Sequence, residues 1–187
     1  MSGASLQDGF EWASGVMANV KPDQMPEPST CHDWTVRMLL NHMIGAVQAF
    51  AEGVPQGRIS NSQPDVTVDL FGDDPAAAYD AAWPRVVAAW EAADPDGATE
   101  FPWGPVPNAV ASQLMLFEAA VHGWDLARST GQGDTIPDDL AQPVLALSTM
   151  LFSDPANRGH DFGLPIEVGD DASTTARLVA YLGRQPG

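Results

Sequence analysis

Cysteine and basic side chains are the scarce components of this 187-residue chain, with one Cys and 8 Lys and Arg in all. A single cysteine, Cys31, forms no internal disulfide, which fits a reducing cytoplasm. Eight basic against 25 acidic residues leave a formal net charge of −17. That field repels phosphate backbones and anionic lipid, so neither nucleic acid nor a membrane surface is expected as a partner. Most such charge is a solvated face that aids solubility, and it names no substrate by itself. No apolar run approaches the roughly 20 residues of a membrane span. Residues 1–8 lack a basic region followed by an apolar one, so no signal peptide is read and a cytoplasmic location is expected. Repeats, low-complexity tracts and linkers are also missing, and the length suits one domain over 1–187 with one substantial core.

What is present is helical periodicity cut by proline and glycine. Leu6 to Val20 places Phe10, Ala13, Met17 and Val20 at helical spacing, and Pro22, Pro26 and Pro28 end that helix. Thr35 is an N-cap for a second helix to about Glu52, striped by Val36, Leu39, Leu40, Met43, Val47 and Phe50. A polar loop from Gly53 to Asp65 leads into Val66–Leu70, whose weak alternation suggests a short extended segment. Asp74-Pro75 opens a third helix to about Ala93, which Pro84 kinks or divides. Phe101 to Pro107 reads as a proline-rich loop. Helices follow from Asn108 to Gly131, from Asp138 to Leu151 and, after an irregular stretch, from Ala172 to Leu182. The expected fold is all-α: a four-helix bundle with short additional helices and an irregular C-terminal segment.

The fourth of these long patterns carries the chemistry. Glu118 and His122 stand four residues apart, which stacks their side chains on one helical face about 40° apart. Leu114, Met115, Val121 and Leu126 fall close to that face, so the pair points toward apolar surroundings. A carboxylate aimed there is costly unless a positive group meets it, and a divalent ion is one such group. His42, on the second helix, is the third candidate ligand. Competing readings are an exposed local Glu–His pair and a satisfied core histidine at 42. Asp125, one turn past His122, either orients that imidazole from behind or is a surface aspartate. Cys31 near a helix start has either a lowered thiol pKa or a small buried role. Roughly 11 residues separate it from His42, about 16 Å if helical, so it is expected to lie too far away to ligate the same ion. His32 and His160 lie in loop-like contexts with no assigned role. Trp34, Trp103 and Trp124 read as core or rim aromatics, with pocket lining as the second option.

Thr30-Cys31-His32-Asp33-Trp34-Thr35-Val36-Arg37-Met38-Leu39-Leu40-Asn41-His42 resembles the first signature of the mycothiol-dependent maleylpyruvate isomerase N-terminal domain family, within the DinB-like superfamily. Glu118-Ala119-Ala120-Val121-His122-Gly123-Trp124-Asp125-Leu126-Ala127 looks like its second. The close, Arg177 to Arg184, resembles that of a stand-alone actinobacterial metal-binding branch. The resemblance implies a DinB-like bundle holding a divalent metal, commonly zinc, on His42, Glu118 and His122, with mycothiol as cosubstrate. The isomerase itself has a further C-terminal domain that contributes to its active site. This sequence ends without one, so maleylpyruvate isomerisation is not expected while thiol transfer is. Met38 departs from the acidic or polar residue common in relatives, which reads as a variation of the helix cap.

Three protein ligands leave an open position on the ion, the pattern of a catalytic rather than a structural site. A thiol entering it loses its proton, and the thiolate is the nucleophile toward an epoxide, activated alkene or alkyl halide. Zinc is the first expectation, while nickel, manganese and iron(II) also suit two imidazoles and a carboxylate. The expected activity is therefore thiol S-transfer to a small electrophile. The alternatives are a hydrolase acting through metal-bound water and a non-catalytic metal or small-molecule binding protein. Oligomeric state is left open, a homodimer being compatible with an acidic bundle.

Overall fold

The computed structural model describes residues 3–60, 64–159 and 162–187, and His160 lies outside them. The described residues divide into two compact units, residues 1–132 and 133–187. Among them, no helix is long and apolar enough to cross a membrane.

The first unit is a helical bundle. Its members are α1 (Gly3–Ala18), α2 (Val36–Gly53), a broken pair α3 (Pro75–Asp80) and α4 (Trp83–Ala92), and α5 (Asn108–Ser129). Helix α5 is central and packs against both α1 and α2, while α3 and α4 close the other side of α1 and α2. Its sequence accounts for that place: between Met115 and Ala127 all but Glu118 and His122 are buried, and a helix apolar nearly all round must be covered on most sides. Close approach to α1 is allowed by Gly123, where an added Cβ would overlap the Trp12 ring. The core between these helices includes Phe10, Met17, Leu39, Leu40, Ile44, Met115 and Trp124, all essentially inaccessible to water.

Local signals explain the helix ends. Thr35 caps α2, its hydroxyl accepting from the Met38 amide at 3.3 Å. Asp74 caps α3 through the Ala77 amide at 2.9 Å, and Pro75 fills the first turn. The expected third helix is divided, with Pro84 in the first turn of α4. Gly131, with φ +71°, takes the left-handed conformation just past α5.

Two expectations are corrected. Phe101 to Pro107 is not a loop but most of a hairpin: β1 (Ala98–Phe101) pairs antiparallel with β2 (Gly104–Pro107), Ala98 opposite Pro107 and Phe101 opposite Gly104. Proline suggested a loop, yet in a two-stranded ribbon each strand is an edge, where an absent N–H can face outward. Val66–Leu70 is not extended, since no described strand pairs with it. It turns instead: the Asp65 carboxylate accepts from the Thr67 amide at 2.9 Å, and Asn41 of α2 holds both the Val66 carbonyl and the Leu70 amide.

The second unit contains α6 (Asp138–Leu151) and α7 (Thr174–Tyr181), packed on each other. Its irregular stretch is organised by Arg158, which is buried, donates to the Gly163, Tyr181 and Phe152 carbonyls, and lies over the Tyr181 ring.

Candidate metal centre

Helices α2 and α5 bring His42, Glu118 and His122 to one point inside the bundle. His42 Nε2 lies 3.1 Å from Glu118 Oε2, and His122 Nε2 lies 3.5 Å from the same oxygen. One donor atom from each of the three fits within 4.8 Å of the others. Ligands at about 2.0–2.1 Å around a tetrahedral ion stand about 3.3 Å apart, so the two measured edges match such an ion. The donor chemistry matches too, since two imidazoles and a carboxylate are a common set for zinc and its neighbours. Both imidazoles are largely covered, whereas the Glu118 side chain keeps 32% of its surface exposed. The centre is thus open to solvent on the Glu118 side. Trp34 covers part of the rest, its ring 5.0 Å from that of His42 and 6.5 Å from that of His122.

Asp125 is no surface residue. Its side chain is fully buried, and Oδ2 lies 3.1 Å from His122 Nδ1. This fixes the ring: when Nδ1–H donates to Asp125, the lone pair sits on Nε2 and faces Glu118 and His42. The other Asp125 oxygen accepts from the Thr30 hydroxyl at 2.7 Å, and Ser129 Oγ accepts from the Thr30 amide at 2.9 Å. In the metal-free state burial pushes the His122 pKa down. The hydrogen bonds to Asp125 and Cys31 and the Glu118 charge outweigh it, and the net shift is well above 6.5. Beside Glu118 the bundle interior is lined by Phe10, Met43, Val47, Tyr79 and Met115. Burial first, then the Glu118 charge, raise the Tyr79 pKa, so its phenol stays protonated.

Cys31 overturns the expected separation. Its Sγ lies 3.8 Å from His122 Nδ1 and 3.4 Å from Asp125 Oδ2, half-buried at the back of the centre. A chain running straight into α2 would put Cys31 about 16 Å from His42. Residues 28–35 instead double back: Ser29 N–H donates to the Trp34 carbonyl at 2.8 Å, Pro28 bridges Thr35, and Asp33 takes φ +62°. A short polar side chain tolerates that left-handed turn. Thr30 and Cys31 therefore face α5. Thr30 and Ser129 had no assigned role in the sequence, because the Thr30–Asp125 contact joins positions 95 apart and no periodicity signals it. His32 points away, paired with Asp33 at 2.8 Å, both highly exposed. Of the tryptophans, Trp124 is core and Trp103 is 64% exposed at the hairpin turn.

Comparison with known proteins gives the family and the fold. Residues 10–127 match the model of the mycothiol maleylpyruvate isomerase N-terminal domain. The chain belongs to that family. Two uncharacterised proteins from strains of Mycobacterium tuberculosis are each 30% identical to it over 189 residues, covering 98% of this chain and 96% of the relative. The crystal structure of a mycothiol-dependent maleylpyruvate isomerase superposes with a TM-score of 0.57 at 17% identity, over 81% of this chain and 70% of that one. A point mutant of that enzyme gives the same TM-score at 14% identity, over 79% of this chain and 66% of the other. The family's fold is accordingly the DinB-like all-α bundle found here.

Proposed function

We propose that this protein is a metal-dependent thiol S-transferase that joins a small thiol of the mycothiol kind to a small electrophile. The observation that carries the reading is the convergence of His42, Glu118 and His122 at ion-sized spacing, within a family whose name includes mycothiol. A divalent ion, zinc in the first instance, supplies a positive charge that lets a thiol give up its proton near neutral pH. The chain's own residues do the rest. Asp125 holds the His122 proton on Nδ1 and so keeps Nε2 available. Glu118 contributes the one negative charge of the set and forms its solvent-facing side. Trp34 covers the two imidazoles with an apolar face and keeps water from that flank. With the thiol activated by charge, no separate general base is required of the protein.

Elemental analysis of protein purified without added metal tests the site. About one divalent ion per chain is expected, lost in His42→Ala, Glu118→Gln and His122→Ala and retained in His32→Ala and His160→Ala. Cobalt substitution tests the reaction class: added thiol should produce a sulfur-to-cobalt charge-transfer band. Equal metal in wild type and in His42→Ala, Glu118→Gln and His122→Ala sinks the site. A cobalt spectrum indifferent to thiol, with thiol-independent cleavage of esters or amides, moves the reading to a hydrolase.

A further inference from the structure

We propose that the back edge of the His122 ring is a second metal position, for a soft, thiophilic ion, with Cys31 Sγ, His122 Nδ1 and Asp125 Oδ2 as ligands. Three distances define it: sulfur to nitrogen 3.8 Å, sulfur to oxygen 3.4 Å and nitrogen to oxygen 3.1 Å. Around a tetrahedral ion with one sulfur, one nitrogen and one oxygen ligand, those edges are about 3.3–3.6 Å. The three atoms therefore need shifts of only a few tenths of an ångström to accept an ion, less than a rotamer change.

The surroundings favour the same assignment. Asp125 is fully buried, and its other oxygen is tied to Thr30, so Oδ2 stays aimed at Cys31 and His122. Cys31 is half-buried, so an ion reaches it from solvent. Without the ion, one carboxylate oxygen faces both the His122 N–H and the Cys31 S–H. The ion displaces the His122 Nδ1 and Cys31 protons to solvent and meets a thiolate and a carboxylate; with the Nε2 side also filled, the shared ring is a bridging imidazolate that adds a third negative charge. Sulfur in the set selects a soft ion such as cadmium(II) over magnesium or calcium. The two positions share one imidazole, so His122 contributes Nε2 to one set and Nδ1 to the other. This inference rests on the Cys31 geometry and goes beyond the transferase reading, in which Nδ1 keeps its proton for Asp125 and only Nε2 meets an ion.

Cadmium titration of the metal-free full chain tests it, with bound cadmium measured by equilibrium dialysis and thiolate-to-cadmium absorption followed in the ultraviolet. Wild type should take two equivalents, one of them accompanied by the thiolate band. Cys31→Ser should take one, without the band. The double variant His42→Ala, Glu118→Gln should lose one equivalent yet keep the band. Because a variant can misfold, wild-type Cys31 is also alkylated with iodoacetamide, and cadmium should slow that reaction at least tenfold. One equivalent in wild type with no thiolate band overturns the second position and leaves the first standing. A band that vanishes in the double variant makes Cys31 a ligand of the first ion and also overturns it. So does alkylation at an unchanged rate.

Discussion

Replacing Asp125 by Asn tests whether a buried carboxylate outside the His42, Glu118 and His122 set tunes the affinity of that set for its ion. Asp125 accepts at Oδ2 from His122 Nδ1 and Cys31, and at Oδ1 from Thr30. Asn keeps the shape but turns one of the two oxygens into an NH2 group. If that NH2 faces His122, the ring must offer its Nδ1 lone pair and carry its proton on Nε2, which blocks the ligand atom. If the amide oxygen faces His122, the tautomer survives and the Thr30 hydroxyl rotates to accept from the NH2. The second arrangement is the cheaper one. It exchanges a charge-assisted hydrogen bond of about 1.5–3 kcal/mol for a neutral one near 1 kcal/mol, a loss of about 0.5–2 kcal/mol. Zinc affinity should then fall about 2- to 30-fold, overlapping the lower part of the roughly 10–100-fold range for partners that orient a metal-bound histidine. Asp125→Ala, which leaves the His122 and Thr30 donors facing a hole, should cost more. Competition against a chromophoric zinc chelator at fixed pH measures both. An Asp125→Asn protein that folds normally and binds zinc within twofold of wild type refutes the orienting role.

Two further outcomes follow, one from His122 and one from the cap of α2. In the metal-free protein the His122 pKa lies well above 6.5, so the stability from its proton is complete below pH 6.5 and is lost as pH rises through the folded value. Zinc requires that proton to leave Nε2 or Nδ1, so its affinity should rise across the same interval; melts with and without zinc between pH 6 and 9 should diverge as pH increases, and parallel curves would refute the coupling. Thr35→Ala removes the α2 cap and should cost about 1 kcal/mol, lowering Tm by about 2–4 °C with zinc stoichiometry intact; an unchanged Tm would mean that the Thr35–Met38 bond contributes nothing.

The bundle was legible because its signals are local. Thr35, Asp74-Pro75 and Gly131 mark helix ends within a few residues, and the apolar stripes repeat over several turns. The Glu118–His122 pair was legible for the same reason, as a spacing within one helix. His42 could be offered as a third candidate from its place on the second helix, and the family signature was what joined it to the pair, since nothing in α2 alone aims it at α5. What escaped was non-local. The hairpin was hidden because proline was read as a loop former without regard to which strand edge carries the missing N–H. Cys31 was misplaced because a single left-handed residue, Asp33, reverses the chain, and separation in sequence then ceases to measure separation in space.

That reversal makes the centre more than a three-residue motif. On α5, Glu118, His122 and Asp125 follow one another at four and three residues, the two spacings that keep side chains on one face. One helix thus carries two candidate ligands and the carboxylate that orients one of them. Two carboxylates and two imidazoles gathered in so small a volume would be costly if left bare. In the metal-free state a protonated His122 faces Asp125 from Nδ1 and Glu118 from Nε2 and offsets part of that cost, and its pKa is raised despite burial. A divalent ion can replace the proton with twice the charge at the same point. Proton and metal therefore compete for one imidazole, and Thr30, by fixing Asp125, decides which of its two nitrogens each of them meets.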